Sequence, residues 1–455
     1  MQLLLGRSTF SHGVHPPGLK DTGNEPIRRL PFAPEMSIPL SQHFGAPSEP
    51  IVHEGQEVVR GEPLGKADGF MSVPVHAPAT GVIERIALMP TARGPKAESI
   101  ILKLHPSASQ RVLYSSRVTP LTPFDIDIMR PKDLIAAVQD TGIVGLGGAA
   151  FPTHVKLSVP KGHVIDTVLI NGCECEPYIT ADHRVMIEQA EDMLMGIRIV
   201  MRILDVKRAI IGIEDNKMDA IEALRAKIPK DSPISVRPVQ TKYPQGAEKM
   251  LIKAILGREV PSGKFPSNVG VGVYNVATMA QIGYLLPRGQ GIIERVITIT
   301  GPGIKKPGNY LVALGTPMGF VLKQLGYTGG AQHLILGGPM MGTSVASLDV
   351  PVTKGVTCIL VTTDEEEEYE RTKKVYACIK CAKCVEACPI HLNPSRLGIL
   401  AAKHQYEAME QKFHLNDCFE CGCCSYVCPS GIPLVQYFRI AKAMNRENRQ
   451  RELQS

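Results

Sequence analysis

Eight of the twelve cysteines in this chain fall into two copies of one spacing, and that spacing restricts both the chemistry and the local fold. The first copy is Cys378-Ile-Lys-Cys381-Ala-Lys-Cys384-Val-Glu-Ala-Cys388-Pro389. The second is Cys418-Phe-Glu-Cys421-Gly-Cys-Cys424-Ser-Tyr-Val-Cys428-Pro429. Three thiolates in one tight loop can hold three irons of a cubane. The fourth Cys stands ahead of a chain-turning Pro and, where two runs occur together, ligates the other cubane. This places Cys378, Cys381, Cys384 and Cys428 on one [4Fe-4S] cluster, and Cys418, Cys421, Cys424 and Cys388 on a second. A chain with two such clusters moves single electrons.

Zinc is the competing metal. Its sites use paired C-x2-C units, normally with one pair supplied from elsewhere. Four ligand-competent Cys crowd into each run here, and each run ends in Cys-Pro, which favours iron–sulfur. Disulfides fit less well. Leu3-Leu4-Leu5 is too short an apolar run for a signal peptide, and thiols this close, without an export signal, point to a reducing compartment and metal. Cys423, between ligands, is the one ambiguity in the set and is read as a non-ligand. Cys358, in an apolar strand-like run, reads as core. His391 reads as an exposed side chain.

The length of 455 residues suggests about three domains. Trp is absent and aromatics are 5% of the chain, which argues against an aromatic platform for single-stranded nucleic acid. The net charge of +6 forms no basic stripe, so no nucleic-acid partner is expected. No window approaches the ~18 uninterrupted apolar residues of a spanning helix.

Turn chemistry makes the first ~35 residues irregular. From Ile38 to about Leu104, short β-runs alternate with Gly and Pro. Glu54 to Leu64 reads as a hairpin, and Val75 to Ile83 repeats the theme. Pro131 to about Gly283 alternates helix and strand. Helix is expected at Lys132–Gln139, a buried strand at Val164–Ile170, and one amphipathic helix from His183 to Leu204. Its methionines, Met186, Met193 and Met201, recur at helical spacing as core residues. Strand Ala209–Ile213, helix Met218–Lys227, strand Ile234–Pro238 and helix Gly246–Leu256 come next, giving an α/β layer with a largely parallel sheet. A β-rich module starts at Arg295–Thr300 with a helix near Met318–Leu325. The acid run Asp364–Glu368, followed by Arg371, Lys373 and Lys374, reads as a solvated linker. Between the Cys runs, Leu397–Phe413 is helix-forming, which suggests the α-helical type of two-cluster ferredoxin. A basic helix (Arg439, Lys442, Arg446, Arg449, Arg451) lies beyond Pro433.

The second informative stretch runs from Gly142 to Thr153. Gly145, Gly147 and Ala150 formally satisfy G-x-G-x-x-G/A. The element before it reads as a helix, and Pro152 interrupts the crossover helix that a Rossmann fingerprint needs, so it is not one. No Gly-Lys-Ser/Thr comes after it, so it is not a P-loop. A backbone this free of Cβ atoms can approach a flat ring or a phosphate and aim N–H donors at it. The alternative is a tight turn between elements.

Gly142 to Lys156, with Asn171-Gly-Cys-Glu-Cys-Glu-Pro177 at the next strand end, resembles the FMN- and NADH-binding subunit of respiratory complex I. That resemblance implies that Gly145, Gly147, Gly148, Lys156 and Asn171 line FMN. It adds Gln245–Glu248 and Asn275–Thr278 as later flavin-contacting segments, with Glu248, Asn275 and Thr278 as candidates. Phe151 and Glu176 match positions that hold the nicotinamide nucleotide, and Glu174 and Glu176 are expected to position ribose or flavin rather than act as acid/base catalysts. The sequence departs from that family at Cys173, where an acidic residue is usual, and at Gly246-Ala247-Glu248, where Gly-Glu-Glu is. The complex I flavoprotein also carries one cluster, not two, and has no N-terminal barrel. Cys173 and Cys175 read as packed thiols near the flavin.

Residues from about Gly13 to the second Cys-Pro resemble the RnfC family of the Rnf (Rsx) electron-transport complexes. The marks are His15-Pro-Pro-Gly-Leu-Lys20, Asn171–Pro177 and Gly257-Arg-Glu-Val-Pro261. The resemblance implies a multidomain α/β and α+β chain. Residues 1–35 would form an extended segment and 36–115 a lipoyl-like barrel-sandwich hybrid. A Rossmann-like FMN/NADH domain would span 120–290, a soluble-ligand-binding β-grasp module 291–362, and a two-cluster ferredoxin domain 363–455. The barrel's hairpin tip, Ala67–Val73, has no Lys, so no lipoyl or biotinyl group is expected. The implied cofactors are two [4Fe-4S] clusters and FMN, with NAD(H) as substrate. The implied partners are integral-membrane and iron–sulfur sister subunits, with ferredoxin reached indirectly. The implied place is the cytoplasmic side of the bacterial inner membrane, where the chain would be a peripheral electron-input subunit.

Overall fold

The protein is described from a computed structural model whose described residues are 8–92, 94–112, 118–327, 334–363 and 374–454. The acid run Asp364–Glu368 and the Leu3–Leu5 run lie outside them.

Two small antiparallel sheets face each other near the N-terminus. One orders its strands Glu35–Pro39, Ala97–Leu104, Gly81–Met89 and Glu57–Val58; the other Glu49–Pro50, Pro63–Lys66 and Val75–His76. Met36, Ile38, Leu64, Ile83, Ile100 and Leu102 fill the space between them. The expected hairpin at Glu54–Leu64 does not form. Glu57–Val58 pairs with Gly81–Met89, while Pro63–Lys66 pairs with strands of the other sheet. The physical reason is the shared core: Val58 and Leu64 are both buried in it, and the turn carries the chain from one sheet to the other.

The central domain holds a parallel sheet ordered Ile234–Val239, Ala209–Glu214, Thr167–Gly172, Val271–Asn275. Ala209–Glu214 is buried at every position, as a sheet covered on both faces requires. The expected strand at Val164 starts later, at Thr167, and Val164 is 78% exposed. The single helix expected from His183 to Leu204 is two, Ala181–Glu188 and Ala190–Leu204, with a break at Gln189. Both halves pack against Val276–Arg288, the second far more extensively, while the first also turns to Met218–Lys227 and the N-terminal segment. Gly196 and Gly283 make the helix crossing close. A Cβ on Gly196 would lie 1.9 Å from the Met279 carbonyl, and one on Gly283 1.8 Å from that of Asp192.

Next comes a six-stranded mixed sheet, ordered Ile27–Arg29, Gly308–Ala313, Glu294–Thr300, Cys358–Val361, Leu334–Leu336, Thr343–Val345, with helix Met318–Gln324 against it. Cys358 is core, as expected. The N-terminal segment, expected to be irregular, supplies this sheet's edge strand and a 3-10 turn at Asp21–Asn24. Turn residues obscured it because three residues carry no readable alternation.

The C-terminal domain is helical: Lys383–Glu386, Pro394–Ala402, Tyr406–Gln411, Cys423–Tyr426 and Leu434–Gln454. The expected Leu397–Phe413 helix breaks at His404, which adopts a left-handed φ of 53°. The basic tail clamps its own domain, with Arg439 and Lys442 on Glu420 and Arg449 on Glu410. Among the described residues no helix is long and apolar enough to cross a membrane.

Candidate redox site

In the parallel sheet the first strand, Thr167–Gly172, lies between the second and fourth, so the winding reverses between Thr167–Gly172 and Val271–Asn275. Ligands of open parallel sheets bind outside the carboxyl ends at such a point. Asn171 and Asn275 face each other across it. The Asn275 Oδ1 accepts from the Ala277 and Thr278 N–H groups, at 2.9 and 3.2 Å, and starts helix Val276–Arg288. Its Nδ2 donates to Asp182 at 2.6 Å. Asn171 donates to the Gly246 carbonyl at 2.7 Å and accepts from the Cys173 N–H.

The glycine stretch is folded over this edge. Leu146 N–H donates to Thr278 Oγ1 at 2.9 Å, and Gly147 lies against Asn275. Gly145 N–H donates to the Phe151 carbonyl at 2.8 Å, closing the loop. Gly148 has a φ of +108°, and a Cβ there would meet nothing within 4 Å. At Gly148 the loop is therefore bare backbone. Gln245 is fully buried beside Gly246, and neither of its amide atoms has a partner among the described residues. A buried orphan amide, a bare glycine backbone and a helix N-terminus at Asn275 fit a flat, phosphate-bearing cofactor.

The charged side chains beneath the loop form one network. Glu174, buried, accepts from the Asp182 and His183 N–H groups at 2.8 and 3.3 Å, capping helix Ala181–Glu188. Each of its carboxylate oxygens thereby takes one N–H at the helix start. Desolvation and the adjacent Glu174 carboxylate push Asp182 up to about 7, against the Asn275 amide, Arg295 and Lys217. Lys217 and Glu214 form a buried pair at 2.7 Å. Arg295, buried, donates to the Leu146 carbonyl at 3.1 Å and to that of Lys354. Lys354, pushed down to about 7 by burial, donates to the Pro74 and Gly142 carbonyls at 2.8 and 2.7 Å. It ties three modules together at the loop.

Lys20 explains the His15–Lys20 motif. Its ammonium donates to the carbonyls of Glu174, Glu176 and Ile179 at 2.7, 2.6 and 2.6 Å, holding the loop after the first strand. Glu176 turns away from the glycine loop: it accepts from Met340 N–H at 3.1 Å and Tyr243 Oη at 3.4 Å. Lys156 pairs with Glu248 at 3.1 Å. Phe151 stacks on Phe44 of the barrel, centroids 6.0 Å apart. Cys173 and Cys175 are packed thiols. Burial pushes both well above the usual thiol range, so neither is a ready thiolate.

The Cys side chains line two cavities. One is lined by Cys378, Cys381, Cys384 and Cys428, the other by Cys388, Cys418, Cys421 and Cys424. Each loop bends through left-handed residues at matching places, Lys380 and Ala382 in the first, Glu420 and Gly422 in the second. A further left-handed residue, His391, stands before Leu392, whose N–H lies 3.3 Å from Cys388 Sγ. Cys423, also at the second cavity, is fully buried among Val14, Tyr243 and Ala387. That cavity abuts the central domain: Tyr243 Oη donates to the Cys421 carbonyl at 2.7 Å. His391 is exposed.

Sequence reasoning missed Arg295, Lys354, Asp182 and the role of Lys20. Their common signal is a charged residue inside an otherwise apolar or turn-rich run, which a single sequence does not separate from surface charge.

These features define an electron-transfer protein in which a cofactor-binding α/β domain is joined to a two-cluster iron–sulfur domain. Family models match in the same order: the RnfC barrel sandwich hybrid domain at 8–105, the Nuo51 FMN-binding domain at 138–284, the SLBB domain at 296–344 and the 4Fe-4S dicluster domain at 377–432. The chain is 40% identical over 449 residues to the C subunit of a proton-translocating ferredoxin:NAD(+) oxidoreductase complex of Clostridium ljungdahlii, covering 98% of this chain and 95% of that protein. It is 42% identical over 404 residues to the Na(+)-translocating counterpart of Acetobacterium woodii, covering 88% and 89%. The C subunit of an ion-translocating oxidoreductase complex of Haemophilus influenzae is 40% identical, over 95% of this chain and 66% of that one. A crystal structure of an NAD+-reducing [NiFe]-hydrogenase shares the fold at TM-score 0.50 and 17% identity, covering 69% of this chain and 66% of that one. The chain belongs to the RnfC family of ion-translocating oxidoreductase complexes.

Proposed function

We propose that this chain is the peripheral electron-input subunit of a membrane-bound complex that couples electron transfer between NADH and ferredoxin to ion movement. FMN, when bound, exchanges an electron pair with the nicotinamide and single electrons with the clusters. The chain's own part is to hold and orient. Gly145, Gly147 and Gly148 offer bare backbone, Asn171, Gln245, Asn275 and Thr278 frame the ligand, and Lys156 with Glu248 stands at its edge. Phe151 and Phe44 offer an aromatic wall to the nicotinamide. Glu176 supports this pocket from the junction with the cluster domain. Cys388, Cys418, Cys421 and Cys424 hold the inner cubane, and Cys378, Cys381, Cys384 and Cys428 the outer one. The domains divide accordingly: barrel-sandwich hybrid over 36–115, Rossmann-like flavin domain over 120–290, β-grasp over 291–362 and α-helical ferredoxin over 363–455. The place is the cytoplasmic face of the membrane.

The observation that carries this reading is the contact of Tyr243 with both Glu176 and the Cys421 carbonyl, which sets one thiol-lined cavity against the flavin domain. Anaerobic purification with flavin, iron and sulfide quantified together tests it. About eight irons per chain, one flavin, and bleaching of both chromophores on adding NADH are expected. A colourless preparation, or flavin bleaching that leaves the clusters oxidised, would refute it.

A further inference from the structure

The two Cys loops are built alike, and the structure shows what one of them does with its outer face. In the inner loop, Gly422 packs so closely on the Met340 carbonyl that a Cβ would lie 2.8 Å from it. Cys423 is buried with Val14 and Tyr243. Glu420, by contrast, is taken up within its own domain by Arg439 and Lys442. This loop type therefore forms an interface through the residues between its ligands.

The outer loop has the same backbone turns and no such cover among the described residues. Residues 374–383 are all exposed, two proposed ligands included. Val375, Tyr376 and Ile379 are 57%, 62% and 67% exposed, an apolar patch at the rim of a thiol-lined cavity. Where the inner loop has Glu420 and Cys423, the outer has Lys380 and Lys383. Lys403 lines the same cavity, and among the described residues no carboxylate does. Contiguous exposed apolar surface rimmed by one sign of charge marks an interaction site.

We infer that the face formed by Val375, Tyr376, Ile379, Lys380, Lys383 and Lys403 docks an acidic surface of a sister subunit, bringing that protein's own redox centre to the outer cubane. The lysines steer the encounter, and the apolar residues exclude water from the contact. The inference rests on the two-cluster reading, so the test measures cluster content separately.

Membranes carrying the intact complex are treated with a zero-length carbodiimide, which joins amines to carboxylates in contact, and the products are mapped by mass spectrometry. Lys380 or Lys383 joined to an Asp or Glu of another subunit is the expected product. Linkage to this chain's own Asp364–Glu368 run, or no linkage at these lysines, overturns the proposal. In parallel, Lys380→Glu/Lys383→Glu is added to membranes stripped of the wild-type protein. Onward electron transfer should slow about tenfold at low salt, with the difference shrinking at high salt. Lys207→Glu/Lys230→Glu, on the central domain, should leave it unchanged. Iron content and NADH-driven bleaching of the isolated double variant should match wild type. With those two intact, a wild-type onward rate sinks the docking proposal alone; an iron-free wild type sinks the cluster reading instead.

Discussion

Lys20→Met removes one ammonium and leaves three carbonyls, those of Glu174, Glu176 and Ile179, without their donor. A hydrogen bond involving a charged group contributes about 1.5–3 kcal/mol, so the three together are worth several kcal/mol before the ammonium's own desolvation is set against them. Burial pulls Lys20 below its ordinary value, a sign that this opposing contribution is real, while the Glu174 carboxylate works the other way. A net loss of about 2–4 kcal/mol results. The loss is local, because the three acceptors belong to the segment between the first strand and helix Ala181–Glu188. Where flavin binding must re-order that segment, 2–4 kcal/mol corresponds to a rise of about 30- to 1000-fold in the FMN Kd.

The assay is titration of flavin-stripped protein with FMN, followed by quenching of flavin fluorescence, alongside hydrogen exchange over residues 173–179. Lys20→Met should bind FMN weakly and lose protection there, with iron content unchanged, because the three carbonyls that Lys20 holds all lie in the central domain. A variant with wild-type FMN affinity and full protection over 173–179 would show that Lys20 is not the clamp. Full protection with weak binding would separate the clamp from the flavin site.

The same geometry sets further outcomes. Gly148→Ala places a Cβ in open space but forces an alanine to a φ of +108°, a strain of about 1–3 kcal/mol; reduced flavin content with intact clusters is expected on purification. Cys423→Ser should keep both cubanes, because Cys423 is buried in the domain junction, whereas Cys421→Ser should lose one; iron and sulfide analysis distinguishes them. Gly196→Val drives a side chain into the Met279 carbonyl and should cost about 3 kcal/mol or more in denaturant stability. Asp182 is raised from 3.8 to about 7 by desolvation and Glu174. The folded chain therefore keeps a proton that the unfolded chain releases, and this stabilisation is complete at low pH and lost as pH rises through about 7. Asp182→Asn should flatten the fall in stability between about pH 4 and 7, read by denaturation at several pH values.

Much of this architecture was legible because its signals are local. A C-x2-C-x2-C-x3-C-P run marks by spacing the thiols that the structure gathers around two cavities, and helix Met218–Lys227 announces itself by periodicity. The expected hairpin failed where locality failed: Val58 and Leu64 alternate as paired strands do, yet each answers to a partner far along the chain. The break at Gln189 was illegible for the same reason, since both halves carry helical spacing and only the first half's added contact with the N-terminal segment tells them apart. In the candidate site, the glycines could be read as backbone without side chains. That Glu174 caps a helix while Glu176 faces Met340 depends on a fold that one sequence does not display.

The position of the charges then says why the modules are joined so firmly. Arg295 and Lys354, both from the module after the flavin domain, reach the Leu146 and Gly142 carbonyls on the glycine loop. Tyr243 of the flavin domain reaches the Cys421 loop. Burying a lysine or an arginine is expensive unless its donors are satisfied, and an apolar contact would have served stability as well. A buried cation whose donors must meet carbonyls on a second module fixes the angle and distance between modules, which apolar contacts leave freer to slide. For a chain that hands electrons from one bound centre to the next, a fixed separation is the property that matters. Lys354→Met, which keeps the volume and removes the donor, should therefore slow cluster reduction by NADH more than it lowers flavin content; equal losses in both would place Lys354 in flavin binding alone.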